Sequence, residues 1–212
     1  MSTCDAVTLT AMSEAPTSPP AGLAARVRAL PPRLGPVRLV AIDGHAGSGK
    51  STLARLLSAE LGQAPVVHLD DLASHASFFG WTDTLSGRVL GPLRRGETAR
   101  YDGYDWERRE FGRALTCPPA PVVLLEGVGA GRRALRPYLS LLVWMAVPRA
   151  TAWARGRARD GQGLTAFWRD WEAAERRHFA DDPSRPFADI LVTPPVAGEG
   201  WSSQESRAGR DG

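Results

Sequence analysis

Residues 37–61 constrain the fold more than any other part of the sequence. Val37, Leu39, Val40, Ala41 and Ile42 lead through Asp43 into Gly44-His-Ala-Gly-Ser-Gly-Lys50-Ser51, and Leu53, Leu56, Leu57 and Leu61 then recur at helical spacing. A short buried strand, a glycine-rich turn and an amphipathic helix, in that order, predict one β-loop-α unit. The loop satisfies G-x-x-x-x-G-K-[ST]. Its glycines let successive backbone N–H groups converge on an anion without Cβ atoms in the way, and the helix N-terminus behind them adds a favourable dipole.

The same alternation continues along the chain. Short, mainly apolar runs at 66–69 (with His68), 122–125, 141–147 and 190–192 read as further strands. Between the last two, Leu164, Phe167, Trp168, Trp171 and Phe179 share a helical face, while Arg169, Asp170, Glu172, Glu175 and Arg176 alternate in charge and read as solvated surface. Strands alternating with helices predict an α/β fold, a parallel sheet covered on both faces. A length of 212 residues suits one such domain. Residues 1–21, with Pro16, Pro19 and Pro20, are expected to be a disordered lead-in, 22–193 the domain, and 194–212 a flexible tail.

Composition narrows the functional classes. At 43% hydrophobic and 23% charged the chain reads as soluble and globular. No apolar run approaches the length of a membrane span, and the first basic residue is Arg26, so neither a membrane protein nor a secretory leader is expected. Two cysteines, Cys4 and Cys117, cannot form a disulfide framework and point to a reducing, cytoplasmic setting. The four histidines show no metal-site spacing, which argues against zinc. A net charge of +3 with scattered arginines argues against nucleic acid as a partner. The sequence says nothing of oligomeric state.

Among 26 lysines and arginines, Lys50 is the one lysine. In so arginine-biased a chain it marks an amine that guanidinium cannot replace, a point charge able to reach β- and γ-phosphates. The expected nucleotide-binding residues are Gly44, Ala46, Gly47, Ser48, Gly49, Lys50, Ser51 and Thr52, with ATP as the ligand and the Ser51 hydroxyl on Mg²⁺. The run at 66–69 ends in Asp70-Asp71, where a carboxylate at a strand's carboxyl end can take the proton of an attacking hydroxyl while its neighbour caps the turn. The run at 122–125 ends in Glu126, a second candidate for Mg²⁺. Arg149, Arg155, Arg157 and Arg159 precede Asp160-Gly-Gln-Gly and suit a lid that brings guanidinium groups to a transferring phosphoryl group.

Together the segments GHAGSGKS, HLDDL, RYDGYDWER, VVLLEGVGAG and PRATAWARGRARDG resemble the uridine kinase-like family of P-loop kinases, whose relatives include nicotinamide riboside kinase and phosphoribulokinase. The resemblance spans about residues 37–193. It implies a five-stranded parallel core with the Glu126 strand beside the phosphate-loop strand. It makes Asp70 the general base, Lys50, Arg155 and Arg159 its catalytic companions, and Ser51 and Glu126 the metal side. It places Asp71, Tyr104, Asp105 and Arg109 on the acceptor side. Two departures stand out. Arg109 occupies the position of a base-contacting histidine, and Leu72-Ala73 replaces an aromatic pair. Phe78, Phe79 and Trp81 are either ordinary core or a substitute stacking wall.

The expected activity is thus an ATP- and Mg²⁺-dependent transfer of a γ-phosphate to the hydroxyl of a small molecule, a nucleoside such as uridine or a nucleoside-like alcohol. The alternatives are a regulatory ATP-binding protein and a specialised phosphotransferase for a non-nucleoside alcohol.

Overall fold

The computed structural model describes residues 19–195 and 200–206. Its strands are β1 (Arg38–Asp43), β2 (Val66–His68), β3 (Ala99–Asp105), β4 (Glu110–Cys117), β5 (Val122–Glu126), β6 (Leu139–Met145), β7 (Ile190–Thr193) and β8 (Ser202–Glu205). One sheet has the order β2-β5-β1-β6-β7-β8. Its first five strands are parallel, and β8 lies antiparallel on β7. β3 and β4 form a separate antiparallel hairpin.

The period-two geometry of strands splits the apolar residues between two faces. Val40, Ile42, Leu124, Val143 and Met145 turn toward α1 (Pro19–Ala29) and α2 (Lys50–Glu60), meeting Leu23, Val27, Leu53 and Leu57. Leu39, Ala41, Val123, Leu125 and Trp144 turn the other way, against Leu85, Val89 and Leu93. Those three belong to a continuous helical stretch made of α3 (Thr82–Thr84), a π-helical segment over Leu85–Leu90 and α4 (Gly91–Arg94). Because both faces are covered, the strands read as unbroken apolar runs. Two further helices, α5 (Arg149–Asp160) and α6 (Thr165–Asp181), carry the arginine-rich and tryptophan-rich segments.

The sequence reading needs correction at two points here. The sheet has six strands and not five, because β7 would otherwise end the sheet with an unpaired ladder, and Ser202–Glu205 supplies the partner. That strand lies within the stretch expected to be a flexible tail, and Trp201 beside it packs against the core. At the other end, α1 starts at Pro19, so the expected boundary at 21/22 falls inside a helix, while residues 1–18 lie outside the described residues. No described helix is long and apolar enough to cross a membrane.

Candidate active site

The parallel register brings three chemically distinct strand ends together. Glu126 at the end of β5 is flanked in the sheet by Ile42 of β1 and His68 of β2. The phosphate loop, Glu126 and Asp70 therefore share the carboxyl edge of the sheet, where ligands of open α/β sheets bind. Asp43, fully buried at the end of β1, anchors this edge. Its carboxylate accepts hydrogen bonds from the N–H groups of Gly44 (2.6 Å), Gly129 (2.9 Å) and Gly131 (2.8 Å).

Lys50 Nζ donates to the carbonyls of Gly44 (3.1 Å) and His45 (3.0 Å) across the loop. Gly47, at φ +80°, lets α5 rest on the loop backbone, since a Cβ there would stand 2.1 Å from the Ala152 carbonyl oxygen. A cleft of about 270 Å³ opens beside the loop, lined by Gly49, Lys50, Ser51, Thr52, Arg155 and Arg159 among others. Ala46 and Gly47 also face it, whereas Gly44 and the buried Ser48 support the loop from behind. Ser51 Oγ donates to Glu126 Oε1 at 3.1 Å, and His68 Nδ1 lies 2.6 Å from the same oxygen. Burial pushes the Glu126 carboxyl up, but the His68 hydrogen bond and the Lys50 and His68 charges outweigh it and hold the group below the usual range. The hydrogen bond to Glu126 in turn raises His68. One hydroxyl and one carboxylate suit Mg²⁺, which takes only one or two protein ligands when a nucleotide supplies the rest. Among the described residues, no cluster of three or more His, Cys, Asp or Glu could hold a metal by itself.

A second cleft, about 500 Å³, adjoins the first. Its walls are His75, Trp106, Leu164, Phe167, Trp168 and Trp171, with Glu107 and Asp160 among the polar groups. Phe167 and Trp171 lie nearly parallel at 5.9 Å, and Trp106 meets Phe167 edge-on at 5.8 Å. The Trp106 indole N–H donates to the Asp70 carbonyl at 3.1 Å, fastening the hairpin to the loop after β2. Ala46, Asp70, Arg159 and Trp171 line both clefts. The Asp70 side chain is exposed and lines both clefts; desolvation by the protein packed around it, reinforced by the Glu126 charge, raises its pKa.

The remaining expected residues are placed as follows. Asp71 turns away and pairs with Arg113 of β4. Tyr104 stands behind the wall, its hydroxyl 3.0 Å from His75 Nδ1. Asp105 accepts from the N–H groups of Glu107 and Arg108, both at 2.9 Å, and so builds the hairpin turn. Arg109 is exposed in that turn at φ +58°. None of these four lines either cleft. Arg155 and Arg159 do; Arg157 instead pairs with Glu172 of α6, and Arg159 holds Asp160 at 2.6 Å. Trp81 is core, with Arg132 stacked 3.7 Å over its ring, and the half-buried Phe78 and Phe79 pack against Trp171 from behind.

Glu175 is the main correction. Instead of lying on a solvated face it is completely buried and receives four hydrogen bonds, from His45 Nδ1, the Ala46 N–H, Trp153 Nε1 and Trp171 Nε1. The signal was present in the sequence. Position 175 falls one turn after Trp171 and one turn before Phe179, inside the apolar stripe. The stripe itself is not only core, since Phe167, Trp168 and Trp171 wall the second cleft.

No family model and no curated protein matches the sequence. Solved structures do match. A possible uridine kinase from Bacillus stearothermophilus superimposes with a TM-score of 0.58 at 21% identity, over 81% of this chain and 96% of that one. A candidate fructose transport system kinase from Silicibacter sp. TM1040 gives 0.48 at 24% identity, over 78% of this chain and 89% of its own. The latter superposition is too loose to add weight. At such identities the first likeness establishes architecture: the chain has the fold of the P-loop kinases.

Proposed function

We propose that this protein is an ATP- and Mg²⁺-dependent kinase that phosphorylates a hydroxyl of a small molecule bearing a flat ring, a nucleoside or a nucleoside-like alcohol. One observation carries the reading: the phosphate-loop cleft and the aromatic-walled cleft meet at Asp70 and Arg159. A protein that only binds or hydrolyses a nucleotide has no use for a second cleft of about 500 Å³, a volume suited to a small ligand, opening onto the same carboxylate.

In this reading the N–H groups of the loop and of the first turn of α2 cradle the phosphates, and Lys50 turns a free N–H to the β- and γ-oxygens while it keeps the His45 carbonyl. The acceptor ring lies among Trp106, Phe167 and Trp171, which turns its hydroxyl toward Asp70. Asp70 accepts the hydroxyl proton as the oxygen attacks the γ-phosphorus, and the raised pKa makes it a better base than an ordinary aspartate. Arg155 and Arg159 meet the charge on the transferring group, Arg159 after leaving Asp160. Mg²⁺, held by Ser51 and Glu126 with the nucleotide, would supply charge neutralisation at the phosphates. The hairpin and α6 exclude water, which would otherwise compete for the phosphoryl group.

The test is an ADP-release assay with Mg-ATP across nucleosides and small alcohols, with product mass confirmed. A ring-bearing acceptor that alone stimulates turnover supports the reading. ATP bound but consumed at the same rate with and without every acceptor would transfer the case to a regulatory nucleotide-binding protein. Turnover confined to ringless alcohols would favour the specialised phosphotransferase.

A further inference from the structure

Glu175 belongs to none of the roles above, yet it is the most heavily hydrogen-bonded side chain at the loop. Its two oxygens divide their work. Oε1 takes His45 Nδ1 at 2.6 Å and Trp153 Nε1 at 3.0 Å, while Oε2 takes the Ala46 N–H at 3.1 Å and Trp171 Nε1 at 3.0 Å. The contact to Ala46 matters because of peptide geometry. In a trans peptide the N–H of Ala46 and the C=O of His45 point in opposite directions within one plane. The N–H is held by Glu175, and the His45 carbonyl faces the Lys50 ammonium at 3.0 Å. One peptide plane is thus gripped at both ends, by a buried carboxylate on α6 and by the loop's lysine.

We infer that Glu175 is a positioning residue for Lys50, acting through the His45–Ala46 peptide. Two consequences are specific. The Ala46 N–H is committed to the protein interior, so the phosphate cradle is made by amides further along the loop. And because the same carboxylate holds the Trp171 indole, whose ring lines both clefts, the lysine and the acceptor wall share one reference point. Burial raises the Glu175 carboxyl, but the His45 and Ala46 hydrogen bonds outweigh it and keep the group below the usual range, so it is ionised while it does this. Both consequences rest on the kinase reading; the positioning of Lys50 by Glu175 does not.

The sequence supplies an unusually clean probe, since Lys50 is the chain's one lysine. Full-length protein grown with ¹³C,¹⁵N-lysine and carrying no added lysine gives a single lysine side-chain signal, observable without nucleotide or turnover. Glu175→Gln keeps the volume but turns an NH₂ group toward two N–H donors. It should move or broaden the Lys50 signal, while Trp153→Phe, which removes one donor on the far side of the carboxylate, leaves it in place. Mg-ATP affinity then provides the second arm. Glu175→Gln should weaken binding about tenfold in the native background and less than about twofold in Lys50→Ala, the non-additivity expected of groups acting in series. An unmoved Lys50 signal in folded Glu175→Gln overturns the inference, as does equal weakening in both backgrounds. If Glu175→Gln does not fold, His45→Ala is read the same way, with a smaller shift expected and an unchanged signal counting against. A native chain that binds no Mg-ATP would defeat the kinase reading and leave the lysine-signal test standing.

Discussion

The two clefts are built by different means. The floor of the proposed phosphate side is the backbone of one continuous stretch, 44–52, with its lysine and serine at fixed offsets from its glycines, and Glu126, Arg155 and Arg159 reach it from elsewhere. The acceptor side is defined by side chains that the fold collects from far apart: His75 from the loop after β2, Trp106 from the hairpin, Asp160 from the end of α5, Phe167 and Trp171 from α6. A backbone site admits little variation because its geometry is its chemistry. A side-chain site can be rebuilt residue by residue without disturbing the sheet, so in the proposed reading the acceptor can change while the donor stays fixed.

Substitutions can break that contrast or sharpen it. The largest loss belongs to Lys50→Ala, which should lower phosphoryl transfer by about 10³-fold or more by removing a preorganised cation; substantial residual turnover in a kinetic assay would falsify the phosphate-loop assignment. Asp70→Asn should cost about 10²–10⁴-fold in kcat while Mg-ATP still binds in a titration. Asp71→Asn should cost far less, since Asp71 is engaged with Arg113. The pH profile carries the same information. A carboxyl whose pKa is raised keeps its proton to higher pH, so activity should fall toward acid with a midpoint above the ordinary aspartate value of about 4. A midpoint at or below that value would remove Asp70 as the base.

On the acceptor side, Trp106→Ala should raise the acceptor KM by about three- to tenfold, the worth of one aromatic contact, with the Mg-ATP KM unmoved. Equal changes in both KM values would mean that the two clefts are not separable. The smallest effect is expected of Arg109→Ala. Exposed in the hairpin turn, Arg109 should be replaceable within about twofold in kcat/KM, and a selective loss for one acceptor would show that the hairpin closes over it.

This contrast also explains what could be read before the structure. The β1-loop-α2 unit was legible because strand, glycines and leucine spacing are all local, and Glu126 and Asp70 were legible because each ends an apolar run. β3 and β4 were not. Their alternation is weakened by Gly103 and by arginines and acids on the outer face, and β4 is exposed along nearly its whole length. Phe167 and Trp171 were visible as a stripe, but whether a stripe meets core or cleft depends on what the fold sets opposite it. Glu175 failed for a related reason. A charge beside other charges reads as surface until its helical phase is followed, and its indole partners come from two helices.

The edge strand β8 has a consequence of another kind. β7 is an apolar strand whose outer rim would, if bare, offer unsatisfied amides and carbonyls to any extended chain nearby. Ser202–Glu205 closes that rim with four polar residues, tied back to α1 by the Arg26–Glu205 ion pair. The segment therefore caps the sheet, since a new strand would have to grow on a short, hydrophilic border. Shortened versions of the chain that stop at the Pro194-Pro195 pair would carry an adhesive edge, and self-association in dilute solution, more than any change at the catalytic end of the sheet, is where their loss would register.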